Sequence, residues 1–253
     1  MSLDGQRAGA PSAIVIGSFL LDRTAIETHH HDTHQLAWAS RGVLTMGVND
    51  RLWVLPRSRA LWIPAGVPHD VRSTADTNMV SLYLDPESCP LSFEEPTVID
   101  CSGLLGHLID HLASDVASEP RRRAEAVVFD LVSTLPVASL HVPLPVDERA
   151  SRVAEALLAD PSDPRTLSDW GRHVGASGRT LARTFARDTG MTFTTWRTTA
   201  RIAASLPLLG SGRSISVVAA TVGYATPSAF VAAFRRVTGT TPGHYFQRSA
   251  RSS

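Results

Sequence analysis

Between residues 13 and 85 short apolar runs alternate with turn residues. Runs such as Ala13–Leu20, Gln35–Ala39, Leu52–Leu55, Ala60–Ile63 and Val80–Leu84 are separated by Arg41-Gly42, Asn49-Asp50, Pro56 and Pro64–Pro68. Short apolar runs punctuated by Gly, Pro and Asn predict strands of a small barrel or sandwich. After residue 100 the period changes. Cys101, Leu104, Leu105, Leu108, Leu112 and Val116 recur at helical spacing, and Arg121 to Leu135 carries Ala124, Val127, Val128, Leu131 and Leu135 in the same manner. Pro136, Pro143 and Pro145 then make Pro136–Val146 a stiff linker and the expected domain boundary. From Asp147 onward the pattern is helical in short pieces.

That last part repeats itself. Shifted by 49 positions, Ser177–Trp196 falls on Thr226–Tyr245, so that Phe185 meets Phe234, Arg187 meets Arg236 and Thr189-Gly190 meets Thr238-Gly239. Ser177 meets Thr226, two residues suited to cap a helix N-terminus. The preceding segment repeats at a shift of 48, with Leu167-Ser168 on Ile215-Ser216 and Val174-Gly175 on Val222-Gly223. Each unit is thus a short helix, a Gly-containing turn, a second capped helix and a Thr-Gly stop, which is the helix-turn-helix pattern. The units span about 166–188 and 214–238.

Charge supports a polyanion for this region. The 253 residues carry no net charge, yet residues 1–146 hold 10 Arg against 17 acids and residues 147–253 hold 14 Arg against 7. Past Pro164 there are 12 Arg against Asp169 and Asp188 only. A basic C-terminal module behind an acidic N-terminal one points to a polyanionic partner for the former. Apolar residues at 43% and charged residues at 19% suit a chain that buries a core. No apolar run approaches the roughly 18 residues of a membrane span, and the polar start lacks the look of a secretory signal. A cytoplasmic protein whose two cysteines, Cys89 and Cys101, are free thiols is expected.

The repeat resembles the DNA-binding domain of the AraC/XylS transcription regulators. The residues that carry the resemblance are Ser177-x-Arg-x-Leu181-x-Arg183-x-Phe185, Gly190-Met191 and Trp196-Arg197-x-x-x-Arg201, then Ile215-x-x-Val218-Ala219-x-x-x-Gly223-Tyr224, Phe230-x-x-x-Phe234-Arg235 and Gly239-x-Thr241-Pro242. It covers roughly Asp147 to Gln247 and implies two helix-turn-helix units in successive major grooves, joined by a helix from about Thr194 to Leu209. Leu181 and Phe185, like Phe230 and Phe234, are expected to point inward at i,i+4. By resemblance, base contacts map to Arg179, Ala182 and Arg183 in the first unit and to Pro227, Ser228, Ala229 and Ala232 in the second. An arginine donates twice to guanine O6 and N7, which singles out G·C. Arg187, Arg235 and Arg236 are expected on phosphates. The second unit lacks a long polar side chain on its outward face, so the first is expected to specify sequence and the second to clamp the backbone. Gly171 departs from the family, which usually has Ala there, at a small cost in helix propensity.

The N-terminal part resembles a cupin. His29-x-His31-x-x-x-Gln35, followed after six residues by Gly42, resembles the first cupin motif with Gln for the usual Glu. Pro64-x-Gly66-x-x-His69 resembles the second, with Ser58 and Ser73 at its usual Gly and Asn. On one strand His29, His31 and Gln35 share a face, His30 and His34 point away, and a facing strand brings in His69. Two readings stand: three imidazoles and an amide around a divalent metal such as zinc, iron, nickel or copper, or histidines that line a pocket or brace a turn. Trp38, Trp53 and Trp62 suit either the wall of an effector pocket or the barrel core.

The resemblances imply an α+β chain with a cupin-like sensor barrel at 1–100, a helical dimerisation segment and linker at 101–146, and an all-α tandem helix-turn-helix domain at 147–253. The function implied is a sequence-specific transcriptional regulator, not an enzyme, working as a homodimer on double-stranded DNA under a small-molecule or metal effector. The Leu-rich stripe of 101–135 suits either subunit pairing or packing on the barrel, and coupling between domains is expected through those helices and the linker. The alternatives are a metal-dependent cupin enzyme, which has no use for a double reader, and a ligand-independent architectural DNA binder.

Overall fold

Ten strands and nine helices lie within residues 14–22, 25–73, 76–114, 116–132 and 140–247, the parts that the computed structural model describes. The barrel is two five-stranded antiparallel sheets. One holds β1 (Ile14–Leu21), β8 (Thr77–Leu84), β3 (His34–Arg41), β6 (Arg59–Ile63) and β9 (Thr97–Asp100), in that spatial order. The other holds β10 (His141–Pro143), β5 (Arg51–Pro56), β4 (Val43–Val48), β7 (His69–Arg72) and β2 (Ala25–His29). The expected strands are present with edges shifted by a residue or so, apart from β8, which starts three residues earlier. Ala13 and Leu135 fall outside the described residues. The Asn49-Asp50 signal is a two-residue hairpin turn in which both residues have positive φ, 48° and 50°, as a type I′ turn requires.

The central strands β3, β5, β6 and β8 are buried on both faces, which is why they read as continuous apolar runs instead of alternating ones, whereas β1 and β2 are largely exposed. Ala37, Ala39, Leu44, Met46, Trp53, Leu55, Leu61, Ile63 and Met79 fill the space between the sheets. The outer face of the β1-β8-β3-β6-β9 sheet presents Leu36, Trp38, Ala60, Trp62, Val80 and Leu82 to α1 (Leu104–Leu112) and α2 (Ser118–Val132). Trp38 and Trp62 therefore do not wall a barrel pocket; of the three expected tryptophans only Trp53 faces the interior. Trp38 donates its indole N–H to Arg57 O at 2.6 Å and Trp62 to Phe93 O at 3.2 Å, which settles both polar atoms on the helical side. The helix-forming stripe of Leu105, Ile109, Leu112, Val128 and Val132 is consumed by this packing. Arg121 bonds Glu125 at 3.0 Å and Ile14 O at 3.2 Å, tying α2 to the first strand.

The outer face of the other sheet carries the C-terminal module. Val43, Val54 and Val142 belong to one continuous core with Val153, Leu157, Trp170, Phe185, Trp196 and Leu206. That module comprises α3 (Glu148–Ala159), α4 (Leu167–Val174), α5 (Gly178–Thr189), α6 (Phe193–Gly210), α7 (Ile215–Thr221), α8 (Pro227–Thr238) and α9 (Pro242–Gln247). The expected joining helix is α6.

Two expectations about the connection change here. Residues 136–139 lie outside the described part, but the remainder of the expected stiff linker is built into the barrel. His141 pairs with Trp53 and Pro143 with Arg51, and Leu144 N donates to Asp50 O at 2.7 Å. Trp196 donates its indole N–H to Pro143 O at 2.7 Å, so the strand serves both modules. Proline is tolerated there because β10 is an edge strand. Nor do α1 and α2 stand between the modules. They cover the opposite sheet, and the C-terminal module docks directly on β4, β5 and β10.

Candidate functional site

The two helix-turn-helix units are built by the same local chemistry. Ser177 accepts a hydrogen bond from Thr180 N at the start of α5, and Thr226 accepts one from Ala229 N at the start of α8. Both helices stop at a glycine in the left-handed region, Gly190 with φ 69° and Gly239 with φ 76°. The repeat extends to the core: Phe185 meets Trp196 edge-on at 5.1 Å, and Phe234 meets Tyr245 the same way at 5.4 Å. Thr166 and Asp169 form a reciprocal capping box at the start of α4. Arg197 and Arg201 donate to the carbonyls of Arg165 and Pro161, fastening the loop between α3 and α4 to the long helix.

Leu181, Phe185, Phe230 and Phe234 are fully buried, as the spacing predicts. Arg179, Arg183, Pro227, Ser228, Ala229 and Ala232 are exposed on the outward faces and Ala182 is half-buried. The docked barrel leaves these faces open to solvent. Arg235 and Arg236 are exposed too, while Arg187 is held by Asp188 at 2.7 Å. Asp188 also accepts the backbone N–H groups of Val146 and Asp147 at 3.2 and 3.0 Å, so a phosphate that recruits Arg187 competes with an anchored carboxylate. This arrangement holds the Asp188 carboxyl below the usual range, chiefly through the Arg187 hydrogen bond.

Gly171 has a steric reason that its sequence position conceals. A Cβ there would lie 2.7 Å from Ala176 O, 2.9 Å from Gly178 N and 3.1 Å from Ser177 C, all backbone of the turn between α4 and α5. Gly171→Ala, although a better helix former, is expected to lower stability by about 1–3 kcal/mol through overpacking. A thermal melt checks this; an unchanged or raised melting temperature would show that the turn yields.

In the barrel, β2 ends at His29 and His30–Thr33 is a loop, so the histidine cluster does not lie along one strand as expected. It forms nonetheless. His29 sits opposite His69 on β7, beyond a bulge at Ile26/His29, and the loop swings His31 back onto both. Ring centroids are 4.4 Å apart for His29–His69, 4.9 Å for His29–His31 and 5.3 Å for His31–His69, and one nitrogen of each lies within 4.8 Å of the others. His29 Nδ1 bonds Glu27 O at 2.8 Å and His69 Nδ1 bonds Val67 O at 3.0 Å. A carbonyl only accepts, so each Nδ1 carries the proton and each Nε2 presents a lone pair. His69 is 2% exposed, and the Nε2 atoms of His31 and His69 are buried with no hydrogen-bond partner. Burial, helped by the neighbouring imidazoles, lowers the pKa of His31 and of His69 and keeps them neutral.

Gln35 is buried on the inward face of β3 and donates to Ser81 Oγ at 2.8 Å, while its Oε1 has no partner. Tyr83 stacks edge-on against His31 at 5.1 Å. Sequence reasoning missed Ser81 and Tyr83. Their alternation within the otherwise apolar run Met79–Leu84 of β8 was the available signal. His30 is exposed, and His34 accepts from Ala65 N at 3.0 Å and packs on Trp62, so neither joins the cluster.

A model of the AraC-like ligand binding domain matches residues 18–127, and a helix-turn-helix domain model matches residues 170–248. The HTH-type transcriptional regulator NimR of Escherichia coli K12 is 30% identical over 234 residues, covering 90% of this chain and 84% of NimR. The chain belongs to the AraC family of transcriptional regulators. The HTH-type transcriptional regulator RipA of Corynebacterium glutamicum is 29% identical over 210 residues, 83% of this chain and 61% of RipA. The HTH-type transcriptional activator RhaR of Klebsiella pneumoniae is 27% identical over 254 residues, 89% of this chain and 88% of RhaR. As a member of the family the protein is a DNA-binding transcriptional regulator with an N-terminal ligand-binding domain. The histidine cluster lies inside the matched ligand-binding segment, and α5 and α8 lie inside the matched helix-turn-helix segment.

Proposed function

We propose that this regulator senses a divalent transition metal through His29, His31 and His69 and selects its operator mainly through Arg179 and Arg183. The observation that carries the sensor half is the convergence of three imidazoles on one point, two with buried, unpartnered Nε2 atoms. Such a set suits zinc, nickel, copper or ferrous iron, with Gln35 as a neutral neighbour in place of a carboxylate. Because His29 and His69 belong to the sheet whose outer face carries α3 and α6, a change at the site reaches the DNA-binding module through that sheet. A ligand shifts DNA affinity only by favouring one arrangement of the two modules over another.

On DNA, Arg179, Ala182 and Arg183 face the bases from the first unit, and Pro227, Ser228, Ala229 and Ala232 make apolar or short polar contacts from the second. Arg187, Arg235 and Arg236 neutralise phosphates. The subunits pair, with Leu104 (61% exposed) and Val127 (39%) among the apolar side chains that α1 and α2 leave outward. The protein acts in the cytoplasm and is not a catalyst; no helix among the described residues is long and apolar enough to cross a membrane. Arg183→Ala is expected to cost about 1–3 kcal/mol at the cognate site and to relax base preference there. Arg236→Ala is expected to weaken all sequences alike and make the salt slope shallower by about 1. Selection of bound DNA from a random pool, with binding measured across salt concentrations, tests both. An unchanged motif for Arg183→Ala overturns the assignment of the first unit as the reader.

A further inference from the structure

A cleft of about 530 Å³ opens at the seam between the two modules, away from the reading faces. Its walls are mostly hydrocarbon: Leu52 and Val54 from the outer face of β5, Leu158 from α3, and Leu208 from α6. The volume falls within the roughly 300–1,000 Å³ typical of small-molecule sites, and seams between domains are a preferred place for them.

Two acceptors stand at this cleft without a strong donor of their own. Pro207 lies inside α6 and has no N–H, so the carbonyl of Ala203, one turn earlier, lacks its helical donor; both residues line the cleft. Glu155 stands on the rim and is exposed, and among the described residues its carboxylate accepts only the Ser151 hydroxyl, at 3.1 Å. The other charged group, Arg72, is already neutralised by Asp70 at 2.8 Å. The rim therefore carries an uncompensated negative charge over an apolar hollow.

We propose that this cleft binds an apolar amine, its hydrocarbon or aromatic body between the two modules and its protonated nitrogen at Glu155. The occupant touches β5 and α6 at once, and α6 fixes the spacing of the two helix-turn-helix units. It is thus a second effector site, independent of the histidine cluster, acting on how the reader sits on the barrel.

The test uses the full-length protein with 4-phenylbutylamine and 4-phenylbutanoate as probes, followed by calorimetry and thermal melting. The amine is expected to bind once per chain and roughly tenfold more tightly than the carboxylate, whose charge opposes Glu155. Glu155→Gln is expected to weaken the amine roughly fivefold, the loss of one partly screened charged contact, and to tighten the carboxylate by removing the charge that opposes it. Ala204→Phe fills the cleft and is expected to abolish binding while leaving the melting temperature unchanged or higher. If that variant does not fold, Ala159→Trp, on the exposed rim of α3, blocks the same space. His69→Ala is expected to leave amine binding intact, which separates this site from the metal site. No binding of the amine, equal affinity for both probes, or full binding to the filled variants overturns the proposal.

Discussion

His69→Ala is expected to abolish stoichiometric binding of Zn²⁺ or Ni²⁺ and, with it, any rise in melting temperature on adding metal. His69 is the most buried of the three ligands and sits 4.4 Å from His29 and 5.3 Å from His31 by ring centroid. Its Nδ1 bond to Val67 O fixes the ring so that Nε2 points into the cluster, and removing it leaves two partly exposed imidazoles. In the intact protein, metal at a thousand times its dissociation constant stabilises the fold by about 4 kcal/mol, and the variant loses all of that term. His30→Ala, altering an exposed loop side chain outside the cluster, is expected to bind metal as the intact protein does. Without metal, His69→Ala and the intact protein are expected to bind operator DNA equally, because the reading faces lie on the other module. Calorimetric titration with metal and a DNA-retardation curve in chelator decide the matter. Full metal stoichiometry in His69→Ala would show that the cluster is a structural brace.

Trp196→Ala is expected to lower stability by about 3–5 kcal/mol, the range for deleting a fully buried aromatic side chain. Trp196 is completely buried in α6, meets Phe185 at 5.1 Å and donates to Pro143 O at 2.7 Å. The truncation opens a cavity in the core that the barrel and the reader share, and leaves the Pro143 carbonyl without its donor. For a chain of this size such a loss corresponds to a fall in melting temperature of roughly 10 °C. Trp196→Phe keeps most of the packing and loses the donor, so a smaller fall of about 1–3 kcal/mol is expected. The shared core also predicts that both modules unfold together, visible as one calorimetric transition. Two separated transitions in the intact protein would show that the seam is weak. A cut in the 136–139 connection is likewise expected to leave the two pieces associated, since β10 and the core on either side of it remain.

The helical module was legible almost residue by residue. Caps at Ser177 and Thr226, the Thr-Gly stops and the inward pairs Leu181/Phe185 and Phe230/Phe234 depend on neighbours three or four positions away, and local chemistry fixes them. The central barrel strands were legible because runs buried on both faces are continuous and apolar. Which face each side chain took was not. Trp38 and Trp62 look identical in pattern to Trp53, and only the helices that settled on the outer face of their sheet turned them away from the interior. Gly171 was mistaken for a small defect because its reason, the backbone of a turn five to seven residues later, is a close approach in space.

The histidine cluster shows the same division. The sequence by itself determined which residues take part, since His29, His31 and His69 stand at motif spacing, and it determined the repeat, the charge asymmetry and the reading helices. Only the tertiary structure decided how they meet. His31 reaches the cluster from a loop after β2 has ended, because a bulge and a turn, not strand alternation, set its direction. The route between sensor and reader was decided in the same way. Prolines at 136, 143 and 145 read as a stiff linker between domains, since proline opposes regular structure inside an element, yet an edge strand needs no donor from Pro143 and accepted the segment. The outward valines Val43, Val54 and Val142 then required cover, and the apolar faces of α3 and α6 supplied it; burial of that surface, which no local pattern encodes, made one body of two modules.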